Sequence, residues 1–70
     1  MKQSDIFHSD PEILDGTPVF TGTRVPVKSL FDHLEAGDSI VDFLNGFPSV
    51  RRDQVIALLE ASRLTLLPAA

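Results

Sequence analysis

The residues able to do chemistry are few, and their spacing decides what kind of chemistry is open. The histidines are His8 and His33. They lack the spacing that sets two imidazoles around a metal on one helix face, and the chain has no cysteine to complete such a set. Ser, His and Asp all occur, but no serine sits in a nucleophile-elbow pattern. Glycines at 16, 22, 37 and 46 are scattered rather than gathered into a phosphate-cradling run. Asp32 and Asp42 belong to different predicted helices. A chain of 70 residues has little room for a pocket of several hundred cubic ångströms. We expect no catalysis, no cofactor and no metal. What remains is recognition, and it falls to arginine.

Arg51 and Arg52 stand in the first turn of a predicted helix, where the macrodipole makes positive charge unfavourable. A local rule broken without visible compensation points to function. In a helix-turn-helix, the first turn of the second motif helix meets base edges and phosphates. Arg51, Arg52 and Gln54 are therefore candidate DNA-binding residues, arginine for guanine or phosphate and glutamine for adenine. The plain alternative is a solvated helix start, with the arginines paired to Asp53 or to acids of the N-terminal arm. Asp42, Asp53 and Glu60 would repel a phosphate backbone nearby.

Arg24 lies between Thr23 and Val25 in an expected strand. Side chains alternate along a strand, so an inward Val25 turns Arg24 outward. There it takes a partner's carboxylate in a bidentate contact. The alternative is an internal clamp onto the turns at Asp10 or Asp15, and both readings stay open. Leu64, Leu66 and Leu67 form the last apolar group; they either close the core or contact another chain.

The elements that position these residues follow from periodicity and punctuation. Residues 1–26 read as extended chain and turns, with turn signals at Asp10-Pro11 and Asp15-Gly16. Pro18, Val19 and Phe20 read as a short strand, Thr21-Gly22 as a turn, and Thr23, Arg24 and Val25 as the returning strand of a hairpin. From Val27 the period becomes helical: Val27, Leu30, Phe31 and Leu34 form one stripe, with Pro26 in the first turn and Gly37 at the end. Ser39 is the expected N-cap of a second helix that buries Ile40, Phe43, Leu44 and Phe47 and ends at Gly46 and Pro48. Ser49 is the expected cap of a third, with Val55, Leu58, Leu59 and Ser62 on one side, running to about Leu67. The fold class is mainly α: one domain over residues 1–70, with a hairpin arm over 1–26 and three helices over 27–67. The short joint between the last two helices suits a helix-turn-helix; any compact three-helix domain fits as well.

Composition sets the outer bounds. The hydrophobic fraction is 43%, ordinary for a folded protein. A domain this small buries only about 60% of its unfolded surface. Disulfides are excluded, so association is the expected source of extra stability, and a homodimer is expected. A net charge of -4 argues against loose, charge-driven binding to nucleic acid. No apolar run approaches the roughly 20 residues of a membrane span. The opening residues show no signal-peptide pattern, so a cytoplasmic location is expected.

The stretches "DPEILDGTPVFTGTRVPV", "LEAGDSIVDFLNGFPSV" and "QVIALLEA" carry a resemblance. The chain resembles the bacterial domain-of-unknown-function family 433, through Asp10, Pro11, Gly16, Pro18, Val19, Gly22, Thr23, Arg24, Val25, Pro26, Val27, Gly37, Phe47 and Pro48. The resemblance covers residues 6 to about 62. It implies a homeodomain-like or winged-helix-like three-helix domain behind an N-terminal hairpin. It implies, too, an antitoxin that binds a PIN-like ribonuclease toxin and acts on its own operator DNA. A transcriptional regulator without a toxin partner is the alternative, and a small adaptor that dimerises through hairpin edges or the C-terminal leucines is the minimum. The family carries no established catalytic residues, so none are transferred. Members more often place acids after the third helix's cap, where this chain has Arg51 and Arg52.

Overall fold

The structure is a computed structural model and describes residues 1–67. Four helices and a two-stranded antiparallel sheet follow one another as α1 (Gln3–Ile6), β1 (Phe7–His8), β2 (Val19–Phe20), α2 (Val27–Glu35), α3 (Ile40–Gly46) and α4 (Arg52–Leu66), with a 3-10 turn at Leu14–Gly16. The chain is mainly helical, as expected. Pro68 and the two residues after it lie outside the described residues.

The arm differs from its expected form in a way that backbone donors explain. β2 pairs with β1, not with a strand over residues 23–25; Phe7 faces Phe20 and His8 faces Val19. The turn after Phe20 does form. Gly22 takes φ +83, a left-handed conformation open to glycine without steric penalty, and the Thr23 N–H donates to the Phe20 carbonyl at 3.0 Å. The Thr23 hydroxyl then donates to the Phe20 carbonyl (2.8 Å) and accepts from the Val25 N–H (3.0 Å). That uses the Val25 donor, and Pro26 has none to offer. The return leg is reduced to a single Val19–Pro26 bridge, supported by Phe20 N–H to Val25 carbonyl and Val27 N–H to Pro18 carbonyl bonds. β2 is therefore flanked on both sides, and both its residues are fully buried.

The long connection between the strands turns where expected. The Asp10 carboxylate accepts from the Glu12 N–H at 2.9 Å, and the Ile13 N–H closes back on the Asp10 carbonyl. Leu14 (φ 49) and Asp15 (φ 55) then join Gly16 (φ 86) in the left-handed region. For the two non-glycine residues that conformation costs roughly 1–2 kcal/mol each.

The helices begin and end on local signals. Pro26 is the N-cap of α2. Its C-terminus closes with two bonds, Gly37 N–H to the Leu34 carbonyl and Asp38 N–H to the His33 carbonyl, with Gly37 at φ +91. The side chains repeat that second link, His33 Nδ1 donating to Asp38 Oδ2 at 2.9 Å. Ser39 and Asp42 form a reciprocal capping box at the start of α3: Asp42 N–H to Ser39 Oγ at 3.0 Å, Ser39 N–H to Asp42 Oδ2 at 3.1 Å. The third long helix starts later than expected. Arg51, not Ser49, is its N-cap. Val50 is buried, so the chain must turn inward there before α4 can leave.

The core gathers Ile6, Phe20, Leu30, Phe43, Val50, Val55 and Leu58. A row of rings runs through it: Phe20 to Phe43 at 6.1 Å, Phe43 to Phe47 at 5.0 Å, and His33 edge-on to both Phe43 and Phe47. Such offset and edge-on pairs add to simple area burial. Phe31, expected in the α2 stripe, is turned to the surface.

The capping box has a consequence for acid stability. Hydrogen bonds from the Ser39 backbone, and then those with its side chain, hold the Asp42 carboxyl below its ordinary value of 3.8. A carboxyl depressed in the folded state contributes stability above its unfolded pKa and loses it as pH falls through the folded one. An Asp42→Ala variant should melt below the wild type at neutral pH and converge on it in strong acid. Thermal melts across that range check this, and a gap that stays constant with pH contradicts it.

Candidate functional site

Arg24 is positioned by the braced turn just described. The Gly22 conformation reverses the chain, the Thr23 hydroxyl locks it, and Pro26 commits the next residue to α2. Arg24 is exposed, and among the described residues its side chain forms no ion pair or hydrogen bond. The internal clamp is not formed: the Asp10 carboxylate is turned onto its own loop. With His8, Ile13, Gly22, Thr23 and Ser49, Arg24 lines an open depression of about 570 Å³. The Thr23 hydroxyl is spent inside the turn, and His8 Nδ1 lies 3.4 Å from the Thr21 hydroxyl. What the depression offers a ligand is a guanidinium fork, with an imidazole and the Ser49 hydroxyl beside it. That set suits a carboxylate.

The expected DNA-reading trio does not form one surface. Arg51 and Arg52 are exposed, but Arg51 Nε is already bonded to Asp53 Oδ1 at 3.0 Å, the pairing named as the plain alternative. Gln54 requires a correction. It is 1% exposed, and its amide is fully engaged: Oε1 accepts from the Arg51 N–H at 3.0 Å, and Nε2 donates to the carbonyls of Thr21 (3.0 Å) and Asp5 (3.2 Å). An amide so occupied cannot also face an adenine edge. Its first bond is local, to the N-cap three residues before it, but with Ser49 expected as that cap the sequence did not place Gln54 there. Its other two join residues 49 and 33 positions away, and carry no local signal.

Leu64, Leu66 and Leu67 do not close the core. All are well exposed, Leu66 at 77%. Ile56, not singled out from the sequence, is also exposed on α4, as is Val41 on α3. The His33–Asp38 pair resembles half of a catalytic array, but its imidazole packs edge-on against two phenyl rings. No group of three or more His, Cys, Asp or Glu among the described residues could hold a metal, and no helix among them is long and apolar enough to cross a membrane.

Residues 8–60 match the family described as protein of unknown function (DUF433). The chain belongs to the DUF433 family. The match runs from the second residue of β1 to the middle of α4, so His8, Arg24, Arg51, Arg52 and Gln54 lie within the DUF433 region. The exposed Leu64, Leu66 and Leu67 lie beyond it. An uncharacterized protein of Sinorhizobium fredii (strain NBRC 101917 / NGR234), y4eO, is 41% identical over 51 residues. That alignment covers 73% of this DUF433 chain but 23% of the relative, so the chain spans about a quarter of that protein's length. No solved structure matches the chain.

The Gln54 geometry generates a stability prediction. Gln54→Ala leaves two part-buried carbonyls and an N–H without their partner, which costs about 1–3 kcal/mol. Gln54→Glu should be worse at neutral pH, because a carboxylate oxygen then faces the Thr21 and Asp5 carbonyls. Urea unfolding of both variants measures this. A Glu variant as stable as the wild type contradicts the assigned bonding.

Proposed function

We propose that this chain is a non-enzymatic, antitoxin-like protein that binds and inhibits a PIN-like ribonuclease toxin in the cytoplasm. The observation that carries the reading is Arg24, a guanidinium held out by a braced turn with no carboxylate partner among the described residues. PIN-type toxins hold Mg²⁺ with carboxylates, by the family resemblance that led to this reading. A guanidinium fork matches a carboxylate through two parallel hydrogen bonds. Inserted among such acids, Arg24 competes with the metal for its ligands. Inhibition of this kind asks no bond-making of the inhibitor, only a rigid cation of the right shape. The turn supplies the rigidity, and His8 and Ser49 supply further polar contacts on the rim of the same depression.

A second role, regulation of its own operon through α3 and α4 as a helix-turn-helix, is favoured by one observation. Arg52 stands exposed at the first position of α4 and forms no ion pair among the described residues. In this role Arg52 would meet phosphate, and Gln54 would act only by holding α4 in place. Affinity for operator DNA would then fall with salt at a slope near -0.9 per phosphate contacted.

The first reading is tested on Arg24. Because its side chain is exposed, Arg24→Ala should shift stability by less than about 0.5 kcal/mol. The same variant should lose binding to the cognate toxin in calorimetric titration, and Arg24→Lys should restore it only in part, since an ammonium lacks the fork. Normal toxin binding by a folded Arg24→Ala protein removes this role.

A further inference from the structure

The surface of α4 carries a feature that the toxin-binding reading does not use. Arg52, Asp53, Ile56, Ala57 and Glu60 line a second open depression, largely apolar at its floor. Ile56 projects from it, 44% exposed, beside the small side chain of Ala57. One turn before Ile56 stands Arg52, and one turn after it Glu60, so all three share a helix face. Arg52 forms no ion pair among the described residues. Glu60 uses Oε1 for Arg63 at 3.1 Å.

We infer that this face binds a second copy of the same chain, two α4 helices packing antiparallel about a two-fold axis through Ile56. The argument is charge complementarity under that symmetry. In an antiparallel pair pivoting on one residue, the position four before it lies across from the position four after it. Arg52 of each copy then meets Glu60 of the other, giving two opposite-sign pairs flanking a central apolar contact. Ile56 of each copy seats over the gap left by Ala57 of its partner. A parallel pair would set Arg52 against Arg52 and Glu60 against Glu60, which disfavours that arrangement. An isologous contact of this sort closes on itself and stops at two. One helix face is a small interface, so association should rise with concentration.

Sedimentation equilibrium on the full chain tests this. The wild type should approach twice the chain mass as concentration rises. Ile56→Glu should sediment at one chain mass with an unchanged circular dichroism spectrum. Arg52→Glu and Glu60→Arg should each weaken association by about tenfold or more, because each sets like charges face to face. The double variant Arg52→Glu/Glu60→Arg should restore it, which a merely structural role for either residue would not produce. Since the chain has no native cysteine, Ile56→Cys adds an independent readout. Its oxidation should yield a disulfide-linked dimer, whereas exposed Val41→Cys should not. A wild type that stays at one chain mass up to millimolar concentration overturns the inference. So does a dimer that survives Ile56→Glu, a double reversal no better than the singles, or equal cross-linking from positions 41 and 56. Toxin binding through Arg24 is read in a separate titration, and its outcome leaves this one standing or falling by itself.

Discussion

One primary amide holds this small fold to its own arm. Gln54 enters the interior from the first turn of α4 and finds a partner for each of its polar atoms. It closes the start of its own helix, and it donates to the Asp5 carbonyl in α1 and to the Thr21 carbonyl just past β2. A buried amide without partners is expensive, so the Gln54 side chain ties the helix and the arm to a common position. The arm needs such a lock. Each strand has two residues, and a ladder so short has no stability of its own in water. The turn that presents Arg24 begins at Thr21, whose carbonyl is one of the two that Gln54 holds. A polar contact deep in the molecule therefore sets where the candidate binding cation stands on its surface.

Apolar packing completes what the amide begins. Phe20 comes from the arm and Phe43 from α3, and their contact continues through Phe47 to His33 on α2. Side chains distant in sequence thus share one core, with Val55 and Leu58 of α4 in the same cluster. The interior is nevertheless small. Met1, Leu14, Phe31, Val41, Ile56, Leu64, Leu66 and Leu67 all remain exposed.

Two surfaces differ in chemistry. The depression at Arg24 presents a cation that forms no ion pair among the described residues, and in the proposed function it meets an acidic partner. The α4 face is apolar at its floor, with Arg52, Asp53 and Glu60 at its edge, and in the inferred dimer it meets a second copy of itself. They divide the residues once grouped together near the start of α4. Arg51 is bonded to Asp53 and Gln54 is consumed inside, which leaves Arg52 as the cation of that turn without an ion pair among the described residues. If Arg52 meets Glu60 of a second copy, it is withdrawn from any phosphate, and the two uses compete.

The three longer helices were legible because their signals are local. A stripe of period near four, a serine cap and a glycine or proline near an end act within one or two turns, and Ser39, Gly37 and Pro48 acted as read. The short α1 fell in a stretch read as extended, and the Asp42 half of the capping box was not singled out. Of the two placements left open for Arg24, outward or clamped onto the arm, the structure has it exposed, though the strand invoked for it did not form. Thr23 diverted a donor that the strand required, a competition between side chain and backbone that residue types do not rank. Tertiary structure alone decided the rest. The pairing of Phe7 with Phe20 joins segments too short to show alternation, and the burial of Gln54 answers carbonyls far away along the chain. Periodicity reports which face of an element is apolar. It cannot report which polar side chain will be drawn inside, because that is settled by unpaired backbone groups that exist only once the chain has closed around them.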